Sequence, residues 1–118
     1  MLFRSYLSEE YRATAIVTKS ESMPPYLDKF AVTTQAQGAG VGGSLWQRMK
    51  VENPKIYWRS RADNEINPWY FQQAEGCHKA GRWTVFWYGL DSFAEIRACI
   101  DHALALPATL REHGTGEV

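Results

Sequence analysis

Runs of hydrophobic residues predict strands in the first third of the chain. Leu2 to Leu7 and Tyr11 to Thr18 are short, rich in β-branched and aromatic residues, and separated by Ser8-Glu9-Glu10, which indicates a hairpin. Tyr26 to Val32 is a third apolar run, and a polar loop that ends in two prolines precedes it. The hydrophobic pattern therefore begins with three consecutive strands.

Two further strands follow later in the chain. Lys55 to Arg61 alternates with a period of two, which places Ile56, Trp58 and Ser60 on one face and Tyr57, Arg59 and Arg61 on the other. Arg82 to Leu90 is almost unbroken apolar sequence, which is typical of a central strand covered on both sides.

Helices are predicted between and after these strands. Ser44 to Val51 is helix-like and is closed by Asn53-Pro54. Asn67 can cap a short helix that has Pro68 in its first position and Gly76 at its end. Ser92 and Glu95 form a capping box for a last helix that Pro107 ends. Its predicted buried stripe is Phe93, Ile96, Ile100 and Leu104.

Composition bounds the class of protein. At 118 residues the chain is one domain, and its thirteen basic and thirteen acidic residues cancel, so no global field favours nucleic acid or an anionic membrane. No apolar run approaches the length of a membrane span. Two cysteines, Cys77 and Cys99, form no disulfide framework, so we expect a cytoplasmic protein. Their spacing to His78 and His102 matches no zinc pattern, and we expect no metal.

A glycine-rich segment lies between the third strand and the first helix, and it predicts a phosphate site. Backbone N–H groups without side-chain cover, together with the positive end of a helix, attract an anion. Gly38-x-Gly40-x-x-Gly43 satisfies the dinucleotide fingerprint, with Asp63 about 20 residues further on. However, five residues separate this strand from the first glycine, and the chain has one strand–helix–strand unit, which argues against a doubly wound sheet. The pattern Gln35-x-x-Gly38-x-Gly40 is instead similar to the pyrophosphate loop of the GNAT acetyltransferases.

Four stretches carry a more specific resemblance. Tyr26-Leu27-Asp28-Lys29-Phe30, Trp58-Arg59-Ser60-Arg61, Asn64-x-x-Asn67-Pro68-Trp69-Tyr70-Phe71 and Trp83-x-x-Phe86-Trp87-Tyr88-Gly89-Leu90 occur in this order. Together they resemble the acetyltransferase domain of N-acetylglutamate synthase, in the branch of the bifunctional synthase/kinases and the urea-cycle enzyme. The resemblance covers Leu2 to Leu110.

The resemblance implies an α/β fold of GNAT type, a mixed central sheet flanked by helices. Residues 1–110 would be the C-terminal part of that domain and residues 111–118 a polar tail, with the N-terminal strand and helices of the fold missing. In this family an amino-acid-kinase-like domain precedes the acetyltransferase domain, and we expect a homo-oligomer.

The resemblance also implies the residues of an active site. Acetyl-CoA would lie between the third and fourth strands, with its pyrophosphate on the glycine segment: Gln35, Gln37, Gly38, Ala39, Gly40, Val41, Gly42 and Gly43. A backbone N–H near Phe30 would polarise the acetyl carbonyl. Lys29, Arg59 and Asn64 would bind L-glutamate, whereas Arg61 is interpreted as a solvated strand residue. Tyr70 would donate the proton to the departing thiolate, and no general base stands out.

The sequence thus predicts transfer of an acetyl group from acetyl-CoA to the α-amine of L-glutamate, the first step of arginine biosynthesis. Direct transfer in a ternary complex is expected, because nothing places His78 where it could activate Cys77. Two alternatives of other classes stay open. One is a non-catalytic module for CoA binding or assembly, and the other is a fragment of a nucleotide-binding oxidoreductase.

Overall fold

The computed structural model describes residues 2–7, 13–32 and 41–107. Within these ranges the chain forms six strands and three helices, and most predicted elements are present with nearly the predicted bounds. The elements are β1 (Leu2–Leu7), β2 (Ala13–Lys19), β3 (Tyr26–Val32), α1 (Val41–Glu52), β4 (Ile56–Arg61), α2 (Asn67–Gln73), β5 (Gly76–Ala80), β6 (Trp83–Tyr88) and α3 (Phe93–Ala105).

The strands form one mixed sheet in the order β1-β2-β3-β4-β6-β5. Neighbouring strands pair antiparallel throughout, except that β3 and β4 run parallel because α1 connects them. The sequence predictions of an α/β class, a mixed sheet and a central β6 are confirmed, since β6 lies between β4 and β5.

Helices cover both faces of the sheet and bury two hydrophobic clusters. The face that we call the α1 face packs against α1 and α2, and its cluster includes Leu27, Phe30, Trp46, Trp58 and Tyr70. The face that we call the α3 face packs against α3, and its cluster consists of Tyr26, Tyr57, Val85, Cys99, Ile100 and Ala103. The alternation predicted for β4 is confirmed, because Trp58 and Tyr57 belong to opposite faces.

The C-terminal part of α3 is tied to β4 by polar groups. The hydroxyl of Tyr57 lies 2.6 Å from Nδ1 of His102. At the other end of α3, Ser92 accepts a hydrogen bond from the backbone N–H of Glu95, as the predicted cap requires. Lys55 forms salt bridges with Asp91 and Glu95, which attaches the start of β4 to the start of α3.

One strand was missing from the sequence prediction. Gly76 begins β5 and does not end α2, whose C-cap is Ala74. The physical reason for a glycine at position 76 is tight packing, because a Cβ there would lie 2.6 Å from the ring of Trp87. The prediction that Gly76 terminates a helix is therefore wrong.

Two predictions about helix ends are also wrong. Phe93 is not part of the buried stripe of α3, since its exposed fraction is 91% and it stands at the first position of the helix. Asn67 does not cap α2, whose N-cap is Ile66. The Asn67 side chain is buried and donates to the carbonyl oxygens of Arg61 and Ala62 instead. Among the helices described, none is long and apolar enough to cross a membrane.

Candidate functional site

The two parallel strands separate almost as soon as they meet. Along the whole of β3 and β4, both fully described, Tyr26 opposite Tyr57 is the single paired position. The N–H of Tyr57 donates to the carbonyl of Pro25 at the same end. From this vertex β3 and β4 diverge, so the backbone edges that face each other further along have no strand partner within the described part of the chain. A wedge-shaped gap with open backbone groups on both walls can accept an extended ligand.

A β-bulge in β3 contributes to this divergence. Leu27 lies opposite Val17 and Lys29 opposite Ile16, so Asp28 is an extra residue on β3. The bulge also resets the alternation of the strand, because Leu27 and Phe30 both face the α1 side. Lys29, adjacent to Phe30, therefore faces the α3 side.

The N-terminus of α1 lies against the far end of β3. A Cβ on Gly42 would lie 2.9 Å from Cγ2 of Val32 and 3.7 Å from Cζ of Phe30, whereas a Cβ on Gly43 would meet nothing within 4 Å. The first turn of α1 contains no acidic residue, and its backbone N–H groups have no partner within the helix. This end of the gap is therefore suited to an anion.

Most of the predicted phosphate segment lies outside the described residues. Val41, Gly42 and Gly43 form the start of α1, which begins three residues earlier than predicted. The remaining predicted positions cannot be placed: Gln35, Gln37, Gly38, Ala39 and Gly40.

Aromatic side chains line the α1 face beside the gap. Phe30 is buried, its ring stacks on Trp69 with centroids 5.5 Å apart, and it meets Trp46 edge to face at 5.2 Å. Trp46 in turn packs edge to face on Trp58. The backbone of Phe30, which is predicted to polarise the acetyl carbonyl, lies on the diverging part of β3.

Tyr70 lies on α2, and its fully buried side chain belongs to this aromatic cluster. Its exposed fraction is 0%, its ring lies 5.4 Å from those of Trp58 and Phe86, and its hydroxyl has no hydrogen-bond partner within the described part of the chain. Burial raises the pKa of the phenol well above its ordinary value. Tyr70 thus keeps its proton at neutral pH and holds an unused donor next to β4.

Arg59 has a different environment from the one that the sequence suggested. Its exposed fraction is 2%, and its guanidinium donates to three carbonyl oxygens at the C-terminal end of α3, those of Ala103, Leu106 and Pro107, at 3.0, 2.6 and 2.8 Å. The guanidinium carbon lies 4.0 Å from the ring centroid of Trp83. These contacts give Arg59 the role of a helix C-cap, whereas its expected contact with substrate stays a prediction.

Arg61, which sequence reasoning had set aside, lies at the end of β4 on the same face as Arg59. Its Nε is 3.6 Å from Oδ1 of Asp63. Its Nη1 is buried and makes no hydrogen bond to the described residues. The sequence shows two arginines two positions apart on one face of the strand. Only the position of α3, whose carbonyls Arg59 contacts, shows which of the two has an unused donor.

Lys29 and Asn64 flank this region. The side chain of Lys29 is largely buried, with Nζ 3.5 Å from the carbonyl oxygen and 3.7 Å from Oδ1 of Asp28. The N–H of Asn64 donates to the carbonyl of Arg61, and its Oδ1 accepts from the N–H of Ile66. Asn64 therefore shapes the turn that leads from Arg61 into α2.

The cysteines and histidines are dispersed. In the residues that the structure describes, no three His, Cys, Asp or Glu side chains form a group that could hold a metal ion. Cys77 is exposed on β5, whereas Cys99 is buried on α3.

Comparison with known proteins identifies what this arrangement resembles. The family model described as NAT, the N-acetyltransferase of N-acetylglutamate synthase, matches residues 1–105. An acetylglutamate kinase of Xylella fastidiosa is 45% identical over 109 residues, which cover 92% of this chain and 26% of the relative. The mitochondrial N-acetylglutamate synthases of Danio rerio and Homo sapiens are 42% and 40% identical over 114 and 104 residues.

These two synthase matches cover 95% and 86% of this chain but 22% and 20% of the relatives. The chain thus spans about a quarter or less of the length of the curated relatives that it matches.

Proposed function

Since the chain belongs to the N-acetyltransferase family of N-acetylglutamate synthase, we propose that it transfers the acetyl group of acetyl-CoA to the α-amine of L-glutamate. The observation that carries this proposal is the divergence of β3 from β4 after Tyr26 and Tyr57, with the start of α1 at the far end of β3. By analogy with its relatives, the chain would act within a longer protein that also contains an amino-acid-kinase-like domain. The expected homo-oligomer and cytoplasmic location stay predictions.

The residues of the gap fit coenzyme A. The pyrophosphate would lie on the N-terminus of α1, which Gly42 allows to pack closely against Val32 of β3 and where no acidic residue of the first turn repels it. The glycine segment before α1 would supply further N–H groups. The pantetheine arm would run between β3 and β4 and bond to their open backbone edges, much as an added strand does.

The thioester would then lie near Phe30. A backbone N–H on the diverging part of β3 would donate to the acetyl oxygen, which gains negative charge when the amine attacks. The aromatic rings beside Phe30 would exclude water from this position, and an electrostatic contact is stronger where water is absent.

L-Glutamate would be bound on the α3 face. Lys29 on β3 and Arg61 on β4 face this side of two diverging strands, and two cationic side chains on one face would suit a molecule with two carboxylates. Arg61 has the unused donor Nη1, whereas the guanidinium of Arg59 is occupied by α3. We therefore assign the carboxylate contact to Arg61, with Asn64 holding the adjoining turn.

Acetyl-CoA supplies an activated acyl group, and the chain would supply orientation and one proton. A bond forms between the glutamate nitrogen and the acetyl carbon, the bond from that carbon to sulfur breaks, and the nitrogen releases a proton to solvent. Tyr70 would donate its proton to the sulfur as negative charge develops there. The raised pKa of the phenol keeps this proton in place until the sulfur needs it.

A direct experiment tests the proposal against the non-catalytic alternative. The chain is titrated with acetyl-CoA in a calorimeter, and release of free thiol from acetyl-CoA is then followed with L-glutamate, with L-glutamine and without an acceptor. We expect acetyl-CoA binding, thiol release that depends on glutamate, and little release with glutamine. Acetyl-CoA binding without thiol release would favour the CoA-binding or assembly module, and absence of acetyl-CoA binding would overturn both.

A further inference from the structure

Buried polar atoms without a partner are concentrated near the end of β4 and the start of α2. Among the described residues, such atoms in this segment include Nε1 of Trp58, Oγ of Ser60, Nη1 of Arg61, Oδ1 of Asn67 and Oη of Tyr70. Ser60 has an exposed fraction of 0% and no part in the function proposed above. A fully buried hydroxyl that neither donates nor accepts loses the hydrogen bonds that water gives it in the unfolded chain, so its presence calls for a partner.

The geometry brings the side chains of Ser60 and Tyr70 to the same face of β4. Asn67 donates to the carbonyl of Arg61 at 2.7 Å, which fixes the first turn of α2 over the end of β4. Tyr70 follows Asn67 by three residues and lies on the same face of the helix. Its ring is 5.4 Å from that of Trp58. The phenol therefore lies over the part of β4 between Trp58 and Arg61.

Ser60 occupies this part of β4 and points toward the same side. It is two positions after Trp58, whose ring packs on the α1 face, and strand residues two apart share a face. Two buried hydroxyls, each without a partner among the described residues and hence not bonded to each other, thus lie on the α1 face of β4. With a ligand in the gap, rotation of the Ser60 side chain would let one hydroxyl donate to the other, and the second would then donate to the ligand.

We propose that Ser60 is a positioning residue that acts through Tyr70. When acetyl-CoA is bound, the hydroxyl of Ser60 donates to Oη of Tyr70, and Tyr70 donates to the thioester sulfur. This contact fixes the direction of the phenol O–H. It also stabilises the negative charge that Oη acquires as its proton moves to sulfur and the carbon–sulfur bond breaks, after which solvent returns a proton to Oη. The inference rests on the proposed acetyl transfer and adds a specific residue to it.

Ser60→Ala tests the inference, because it removes one oxygen and leaves the packing of β4 in place. We expect kcat to fall roughly tenfold, which corresponds to about 1.4 kcal/mol, with the affinity for acetyl-CoA and the KM for glutamate unchanged. Ser60→Thr retains a hydroxyl and should keep most of the parent kcat. The matched control is Thr84→Val, since Thr84 is buried directly opposite Ser60 on β6 and its hydroxyl has no role in the proposed transfer.

A double variant decides whether Ser60 acts through Tyr70. In the Tyr70→Phe background, Ser60→Ala should cause no further loss of kcat, because the group that Ser60 orients is gone. Multiplicative losses, or an unchanged kcat in Ser60→Ala, would overturn the inference, and a buried water would then be the simpler partner for Oγ. The proposed function is tested separately: a loss of kcat in Tyr70→Phe alone would leave it standing even if Ser60 proved silent.

Discussion

Gly42 in the first turn of α1 lies against Val32 at the end of β3 so closely that a Cβ on Gly42 would be 2.9 Å from Cγ2 of Val32. The contact sets the distance between the positive end of the helix and the strand that would carry the thioester. The adjacent Gly43 has nothing within 4 Å of its Cβ position. Close packing therefore favours glycine at position 42 but does not require it at position 43.

Gly42→Ala should weaken acetyl-CoA binding. The added methyl forces either Val32 or the helix N-terminus to shift, and we expect the dissociation constant measured by calorimetry to rise roughly tenfold, about 1.4 kcal/mol. Gly43→Ala is the matched control and should bind acetyl-CoA as the parent does. It should also raise the free energy of unfolding by about 0.5–1 kcal/mol, because alanine favours a helix interior. Equal affinity in both variants would contradict the assignment of this helix end to the pyrophosphate.

Arg59 should matter to stability rather than to substrate. Arg59→Met removes the donors that satisfy the carbonyls of Ala103, Leu106 and Pro107 and leaves them buried near Trp83. Hydrogen bonds from a charged group contribute about 1.5–3 kcal/mol each, and part of this is offset when α3 frays. We expect the free energy of unfolding, from urea denaturation, to fall by about 2–4 kcal/mol. A parental denaturation midpoint in Arg59→Met would refute the capping role.

Arg61 should govern the binding of glutamate. Arg61→Met removes the unused donor, and the KM for glutamate should rise about 10- to 100-fold while the acetyl-CoA affinity and the urea midpoint stay close to the parent values. Arg61→Lys keeps the charge and loses the planar fork, so its effect on KM should be intermediate. The comparison with Arg59→Met is the control for stability. A parental KM in Arg61→Met would mean that Arg61 is the solvated strand residue that the sequence suggested.

For Arg59 and Arg61, the sequence predicts the face of the strand but not which side chain α3 covers. Alternation along β4 correctly places Arg59 and Arg61 on one face, because that follows from the geometry of a strand. It does not tell which of them is covered, since this depends on where α3 ends, 44 residues after Arg59 in the case of Ala103. The resemblance indicates a strand and a kind of residue, and only tertiary packing distinguishes a structural arginine from a candidate substrate ligand.

The errors in the predicted elements have similar causes. Gly-Cys-His-Lys-Ala carries no hydrophobic alternation, so β5 had no signal, and its strand state comes from pairing with β6. Phe93 satisfied the helical period, yet at the first residue of α3 its side chain is exposed. By contrast, the bounds of β1 and β3 were predicted correctly, because both are strongly β-favouring and β3 is preceded by proline.

The stability of the fold should decline at alkaline pH through Cys99. Burial raises the pKa of its thiol from 9.0 to about 11. Because the folded value lies above the unfolded one, this stability is fully present below about pH 9 and is lost as the pH rises toward about 11, by about 2–3 kcal/mol in total. Cys99→Ala should remove this part of the pH dependence, measured as urea midpoints at about pH 8 and about pH 10.5. Cys77→Ala is the control, because Cys77 is exposed, and its midpoints should follow the parent.

Tyr70 and Tyr88 are two buried phenols whose pKa values burial raises, and they differ in their hydrogen bonds. The hydroxyl of Tyr88 donates to the carbonyl of Asn53 at 3.0 Å, whereas that of Tyr70 has no partner in the described chain. Tyr88→Phe should therefore lower the free energy of unfolding by about 1 kcal/mol and leave kcat within about twofold of the parent. It serves as the matched control for the same substitution at Tyr70.

Tyr70→Phe should differ from Tyr88→Phe in both quantities: stability should be retained and kcat should fall. Loss of an unsatisfied hydroxyl costs no hydrogen bond, so the free energy of unfolding should stay level or rise by up to about 1 kcal/mol. The chemical step should suffer instead, because removal of a positioned proton donor lowers kcat by about 10²–10⁴-fold, while acetyl-CoA affinity is retained. A variant that is more stable but less active than the parent would show that the Tyr70 hydroxyl serves the reaction and not the stability of the fold. If Tyr70→Phe turned over as fast as the parent, Tyr70 would be a core residue, and the proton for the thiolate would have to come from solvent.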